Sequence, residues 1–548
     1  MKSKNFITVV FLIAIFGCSK KSTVENLIPL YDNLSKYHRQ ITTSSEEAQQ
    51  YFDQGLTLYY GFNHEAAIKS FQQAIAYDST CAMAWWGQAI SAGPNINNPT
   101  MDSLSKAAAW ETILKAQQHL TDASPLEQGL IKALTFRYAW PAPDNRKHLD
   151  SAYVTAMREV YKENPGDPDI GTLFADALLN IRPWDYWKPD GTPQQGTEEL
   201  VSVLEHTLSI TPDHPGACHF YIHTMEASST PEKALPAADL LRNRIPGASH
   251  LVHMPSHIDI RLGRYQESIL ANQKAIIADS TWVKSGGFYT LYRAHNFHFL
   301  AYSAMFSGQK QVALNAANSM IDQIPPDLVN ALPDFLEGFM AIPYHVMIRF
   351  GMWNEIIALP EPPKEQPLTW AFWSYSRVVA FSATGRLNEA SAEFARLQND
   401  FNNVPDSRLI GNNPGKTVLK IGLHMAEGEM EYRKANYEKA FDLLRLAVQE
   451  DDSLRYDEPW GWMMPIRHSL GALLTEQRRF EEAENVYKSD LEIHPGNGWA
   501  LKGLSTCYHN TGRHEEAMKT DELFKQAWSN SDIDLHSSCF CSKGEIMN

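Results

Sequence analysis

At 548 residues the chain is too long for one ordinary core, so it is either several domains or an elongated repeat array. Apolar residues make up 44%, enough for extensive burial, while 48 basic against 64 acidic side chains leave a net charge of −16. That charge, with no Lys/Arg stripe to offset it, argues against a nucleic-acid groove, which needs a basic face.

Residues 1–17 read as a signal peptide. Lys2 and Lys4 precede an apolar run from Phe6 to Phe16, and Gly17 and Cys18 follow. The run is too short to span a bilayer comfortably and fits a signal-peptide core. The ending "IFGC" resembles a bacterial lipobox, with Phe16 bulkier than the residue usual there. That resemblance implies lipidation at Cys18 and anchorage in the bacterial cell envelope, with the outer membrane as the expected address. A plain signal peptide or a weak anchor is the alternative. Residues 18–45 then form a tether and lead-in.

From Tyr51 to Thr80, small and apolar residues recur at helical spacing in two blocks, with a break near Gly61–Asn63. Ala67, Phe71 and Ala74 form the second stripe. The arrangement returns in "GRYQESILANQKAIIADS", "GRLNEASAEFARL", "ANYEKAFDLLRLAV" and "RRFEEAENVYKSDLEIHP". Where no insertion intervenes the unit is about 34 residues, the tetratricopeptide period. The chain therefore resembles the tetratricopeptide-repeat family over most of its length. That implies an all-α solenoid of antiparallel helix hairpins, with a concave groove suited to a peptide, a protein partner or a small ligand. The second-helix alanines Ala67, Ala234, Ala313, Ala390, Ala440 and Ala483 are expected to be buried between helices.

This reading divides the chain into an N-terminal repeat-like region with insertions (46–212), central histidine-rich units (213–360) and C-terminal repeats (361–530). Residues 531–548, with no helical period, are expected to be a disordered tail, and the single residue between Cys539 and Cys541 is poor spacing for a disulfide. "AMAWWGQAISAGPNIN", "HPGACHFYIHTMEAS", "HLVHMPSHIDIRLGRY" and "EPWGWMMPIRHSLGALL" resemble blocks of a bacterial group of secreted or lipid-anchored repeat proteins. The resemblance implies the fold and no settled reaction. No strand-like alternation of useful length appears.

The insertion "RPWDYW" offers Arg182, Trp184 and Asp185 as a ligand-binding lid over the groove, or as the packing of a long loop. In the family's geometry, the second, fifth, ninth and twelfth places of each first helix point into the groove. A register fixed from the alanines and turn glycines places His219, His223 and Glu226 at three such positions of a unit beginning near Pro215. The unit beginning near Ser249 contributes His250, His253 and His257, and the one near Ala294 contributes His295 and His298, with Tyr302 at the ninth place. His345 and His468 follow in later units. If a new helix starts at Pro255, His250 and His253 fall on a loop instead.

Histidines at i, i+4 on one helix can reach one ion, and a carboxylate three residues on adds an anionic ligand to the same face. "HFYIHTME" is so built, and it is not the metalloprotease HExxH signature, because Phe220 stands where that motif has glutamate. Three readings stay open: a metal centre, catalytic or not, holding zinc, copper, iron or manganese; a metal-free polar pocket involving Tyr302 and His345; or structural hydrogen-bond networks. The matching functional alternatives are a metal-dependent hydrolase or oxidase and a scaffold without chemistry. No phosphate-binding glycine loop, nucleophile elbow or dinucleotide fingerprint is present.

Overall fold

The computed structural model describes residues 27–34, 37–281 and 289–542; the leader and Cys18 lie outside them. The chain is an all-α helical repeat. Consecutive helices pair across short turns, as in Glu46–Tyr60 with His64–Tyr77, Pro367–Ala383 with Leu387–Asn403, Gly415–Arg433 with Tyr437–Asp452 and Gly498–Asn510 with His514–Ala527. Small residues permit the pairing. All six second-helix alanines are fully buried, and the Phe71 ring lies so close to Gly87 that any Cβ there would overlap it. The strands among the described residues form one hairpin of two residues each, Leu409–Ile410 and Asn413–Pro414, with isolated bridges at Asn95–Asn98 and Trp187–Pro193. Its turn is too short to show as an alternating pattern in sequence.

The array curls until distant units touch. Trp499 Nε1 donates to the Met305 carbonyl at 2.9 Å, the Lys310 amide donates to Asp532 at 2.6 Å, and Tyr456 reaches Glu226 at 3.4 Å. The concave face expected to be an open groove is thus partly covered by residues 454–463. Gly263 marks one of these closures. Its φ of +72° lies in the left-handed region, and an added Cβ would run into the Pro495 carbonyl. Gly263→Ala is expected to cost more than about 1 kcal/mol, read as a lower thermal midpoint with unchanged helix content.

The expectation of a disordered tail is corrected for residues 531–542. Leu535, Ser538 and Cys541 are buried, Ser538 donates to the His468 carbonyl at 2.8 Å, and Phe540 packs against Trp499. Cys539 and Cys541 are joined in a disulfide, against the reading of their spacing. The segment has no helical period because it docks as an irregular strap, held by single side chains.

Buried apolar side chains form two large clusters, one drawn from residues 28–292 and the other from residues 260–541. They meet where the histidine-rich helices lie. Among the described residues no helix is long and apolar enough to cross a membrane.

Candidate metal centre

His214 accepts the Ala217 amide at 3.1 Å and Pro215 occupies the first turn, which fixes the start of the helix Pro215–Met225. That helix carries His219 and His223, and Glu226 is its C-cap. Ser249–His253 continues into Pro255–Arg261 through Met254, whose φ and ψ of −49° and −39° are helical. Pro255 interrupts one backbone bond without turning the chain aside, so His250, His253 and His257 all ride on helix and none lies on a loop. Tyr289–Phe306 brings up His295. His219, His223, Glu226, His250, His253 and His257 are at most 2% exposed, so bulk solvent does not reach them.

Hydrogen bonds fix which ring nitrogens carry hydrogen. His219 Nδ1 donates to the Tyr60 carbonyl at 2.6 Å. His223 Nδ1 donates to Glu226 Oε1 at 2.8 Å, and His257 Nδ1 to Glu226 Oε2 at 2.6 Å. Each of these rings therefore keeps its lone pair on Nε2. The Nε2 atoms of His219 and His223, and both nitrogens of His250, have no hydrogen-bond partner among the described residues.

Around these helices three groupings bring ligand atoms within 4.8 Å of one another: His219, His223 and His250; His253, His257 and His295; and His223, Glu226, His257 and Glu458. Ring-to-ring separations of 4.8 Å (His219–His223) and 4.9 Å (His219–His250) close the first. Phe62 covers it, with its ring 4.5 Å from that of His219. Burial depresses the pKa of His219, His250, His253 and His295 well below the ordinary range, and neighbouring imidazoles add to the effect. Burial pushes the Glu226 carboxyl up, but His257 and His223 more than reverse this and hold it near 2.

The remaining sequence candidates separate. His298 lies 3.1 Å from Met463 Sδ and belongs to none of the three groupings; one turn along from His295, it faces a cavity instead of the centre. His345 packs between Phe372 and Trp462, His468 pairs with Asp490 at 2.8 Å, and Tyr302 stacks on Phe306 and Trp460. Arg182 and Asp185 form a surface ion pair, which contributes little. Of that insertion only Trp184 reaches the centre, edge-on to His223 at 5.1 Å, with its Nε1 donating to the Ile96 carbonyl. Sequence reasoning missed Phe62, Asn272 and Glu458. Glu458 heads the block "EPWGWMMPIRHSLGALL", and its carboxylate contacts His257 Nδ1.

The cavity, of about 240 Å³, opens beside His295 and Glu458. Leu291, Phe339, Ile410 and Trp460 supply apolar walls, Asn412 and Asp457 supply polar points, and among the described residues no Lys or Arg lines it. Burial raises the Asp457 carboxyl to about 8.

The buried neutral rings make the metal-free protein acid-sensitive. Below about pH 6.5 the unfolded chain takes up protons that the folded chain refuses, so stability falls with pH by about 1.4 kcal/mol per unit and per ring. The urea midpoint of metal-free protein is expected to drop steeply between pH 6.5 and 5. A flat profile would mean the rings are charged or solvated.

The tetratricopeptide-repeat family profile matches residues 474–520. No curated protein matches the chain. Among solved structures, the human IFIT1 dimer with m7Gppp-AAAA is 10% identical at a TM-score of 0.28, with 89% of this chain and 91% of that one covered. Cut9 of the APC/C hetero-tetramer Cut9–Hcn1 is 12% identical at 0.30, covering 91% and 77%. Yeast Tom70 is 9% identical at 0.29, covering 89% and 93%. Similarity of this degree transfers no ligand, partner or activity to this chain.

Proposed function

We propose that the chain is an exported, lipid-anchored helical-repeat protein that holds a metal ion in its buried histidine centre, beside a cavity for a small, largely apolar ligand. The observation that carries this is the tautomer pattern. His219 and His223 spend their Nδ1 hydrogens on a carbonyl and a carboxylate, leaving Nε2 lone pairs unpartnered and aimed toward His250. Metal-bound histidines are oriented in this way, and a purely structural network would have no reason to leave these atoms unsatisfied. A trio of imidazoles suits zinc, copper or iron better than manganese, which prefers oxygen. An ion with an open position could activate water or oxygen. The test is metal analysis of the full-length protein, with the parent retaining ion through dialysis.

A scaffold that binds a peptide or protein partner without metal is the second reading. The repeat matched at residues 474–520 favours it, and it takes over if the pure protein neither carries metal nor gains thermal stability from added zinc, copper or iron.

Anchorage rests on "IFGC". Cys18→Ser is expected to move the protein from the membrane fraction to the soluble fraction, or to block its maturation. A variant that fractionates and migrates like the parent rules the lipid anchor out.

A further inference from the structure

We infer that the histidine centre holds a second metal ion, between His253, His257 and His295, and that this ion is the one facing the cavity. The inference rests on the metal reading above, but its geometry is separate, because the trio shares no residue with His219, His223 and His250.

The tautomers again decide. Asn272 Nδ2 donates to the Ser268 carbonyl at 2.8 Å, which turns Asn272 Oδ1 toward His253 Nδ1, 2.6 Å away. His253 therefore carries its hydrogen on Nδ1. His257 Nδ1 faces two carboxylates, Glu226 at 2.6 Å and Glu458, and an N–H is the only state that suits them. Both rings then present lone pairs at Nε2, and these two atoms lie 2.7 Å apart. Two facing lone pairs at that distance repel, so a cation has to sit between or beside them. A proton there would make one ring an imidazolium, which Glu226 and Glu458 can offset at His257 but which gives His295 no part. A metal ion accepts both lone pairs, and His295, with its ring 4.9 Å from His253, supplies a third.

The two trios differ in what surrounds them. None of His219, His223 and His250 borders the cavity, whereas His295 does, as does Glu458 beside His257. The first ion is enclosed under Phe62, and the second has a side open to a ligand. Glu226 ties them together, with one oxygen on His223 and the other on His257. Rings of the two trios approach to 5.4 Å (His223–His257) and 5.8 Å (His250–His253), close enough for two paramagnetic ions to interact.

One competing arrangement places a single ion among His223, Glu226, His257 and Glu458, on the Nδ1 side of both rings. Stoichiometry separates the two. Full-length protein is stripped with chelator, reloaded with zinc alone, dialysed and counted for ions per chain, and copper(II) is loaded in parallel for electron paramagnetic resonance. The expected result is two zinc ions in the parent and one in each of His250→Ala and His295→Ala. The copper-loaded parent should show dipolar broadening that either variant removes. His295→Gln, which keeps volume and polarity, stands in if His295→Ala fails to fold. One ion in the parent, lost in His250→Ala and kept in His295→Ala, overturns the second site and leaves the metal reading standing. One ion that survives both substitutions but is lost in Glu458→Gln overturns it in favour of the carboxylate site. No ion in the parent overturns both.

Discussion

Glu226→Ala is expected to be the most destabilising single substitution in the centre, at about 3–5 kcal/mol. The carboxylate is fully buried and accepts from His223 and His257 at once, with Tyr456 nearby. Truncation leaves the His223 N–H without an acceptor, at about 1–3 kcal/mol for a buried orphan, and leaves His257 with Glu458 as its one remaining carboxylate. The deleted volume adds a cavity term. The Glu226 carbonyl, which accepts from Arg261, is unaffected, so the helix end should hold. Glu226→Gln tests the electrostatic part. It keeps the shape but turns one acceptor into a donor, so one of the two histidines has to change tautomer. The chain should then fold with a smaller loss of stability while metal affinity drops by about 10–100-fold. Denaturant midpoints and zinc titrations of the two variants measure these effects. A Glu226→Ala midpoint within about 0.5 kcal/mol of the parent would show that water enters the centre.

His223→Ala is expected to remove the ion held with His219 and His250 while leaving helix content intact. Alanine is the better helix former, and the start of Pro215–Met225 is fixed by His214 and Pro215, away from the substitution. The loss should be visible as a missing thermal response. Zinc at a hundred times its dissociation constant stabilises a one-site protein by about 2.7 kcal/mol, and the variant should forfeit that share of the parent's upward shift in melting. A variant that still gains the parent's full shift would show that His223 ligates nothing. Its role would then be limited to pairing with Glu226 and packing beneath Trp184.

The elements and much of the centre were legible because helical repeats write themselves into sequence at short range. Ala67, Ala313 and Ala440 are recognisable within one hairpin, and their burial follows from the close approach they permit. The same register gathered His219, His223, His250, His253, His257 and His295 from three successive units. It overreached at His298, since i and i+3 on a helix differ by about 60° in direction, enough to turn that ring out of the cluster toward Met463. Glu458 and Asn272 were not legible for a different reason. Glu458 arrives about 200 residues later in the chain, brought in by the curling of the array. That curvature accumulates from small rotations between units that no local pattern records. The strap at 531–542 is illegible on the same ground, because its order comes from Tyr487, His468 and Trp499, all distant in sequence.

The cover over His219, His223 and His250 also bears on time. Phe62 and Trp184 lie directly on these rings, and Tyr292 lies 4.6 Å from His250. An ion seated there can leave only as often as packed helices part, and openings in a well-buried region are rare events. Exchange should therefore be far slower than at an exposed histidine site. What occupies the centre would then be set by which ion is abundant while the chain folds, and later competition between metals, however favourable on paper, would arrive too late to change it.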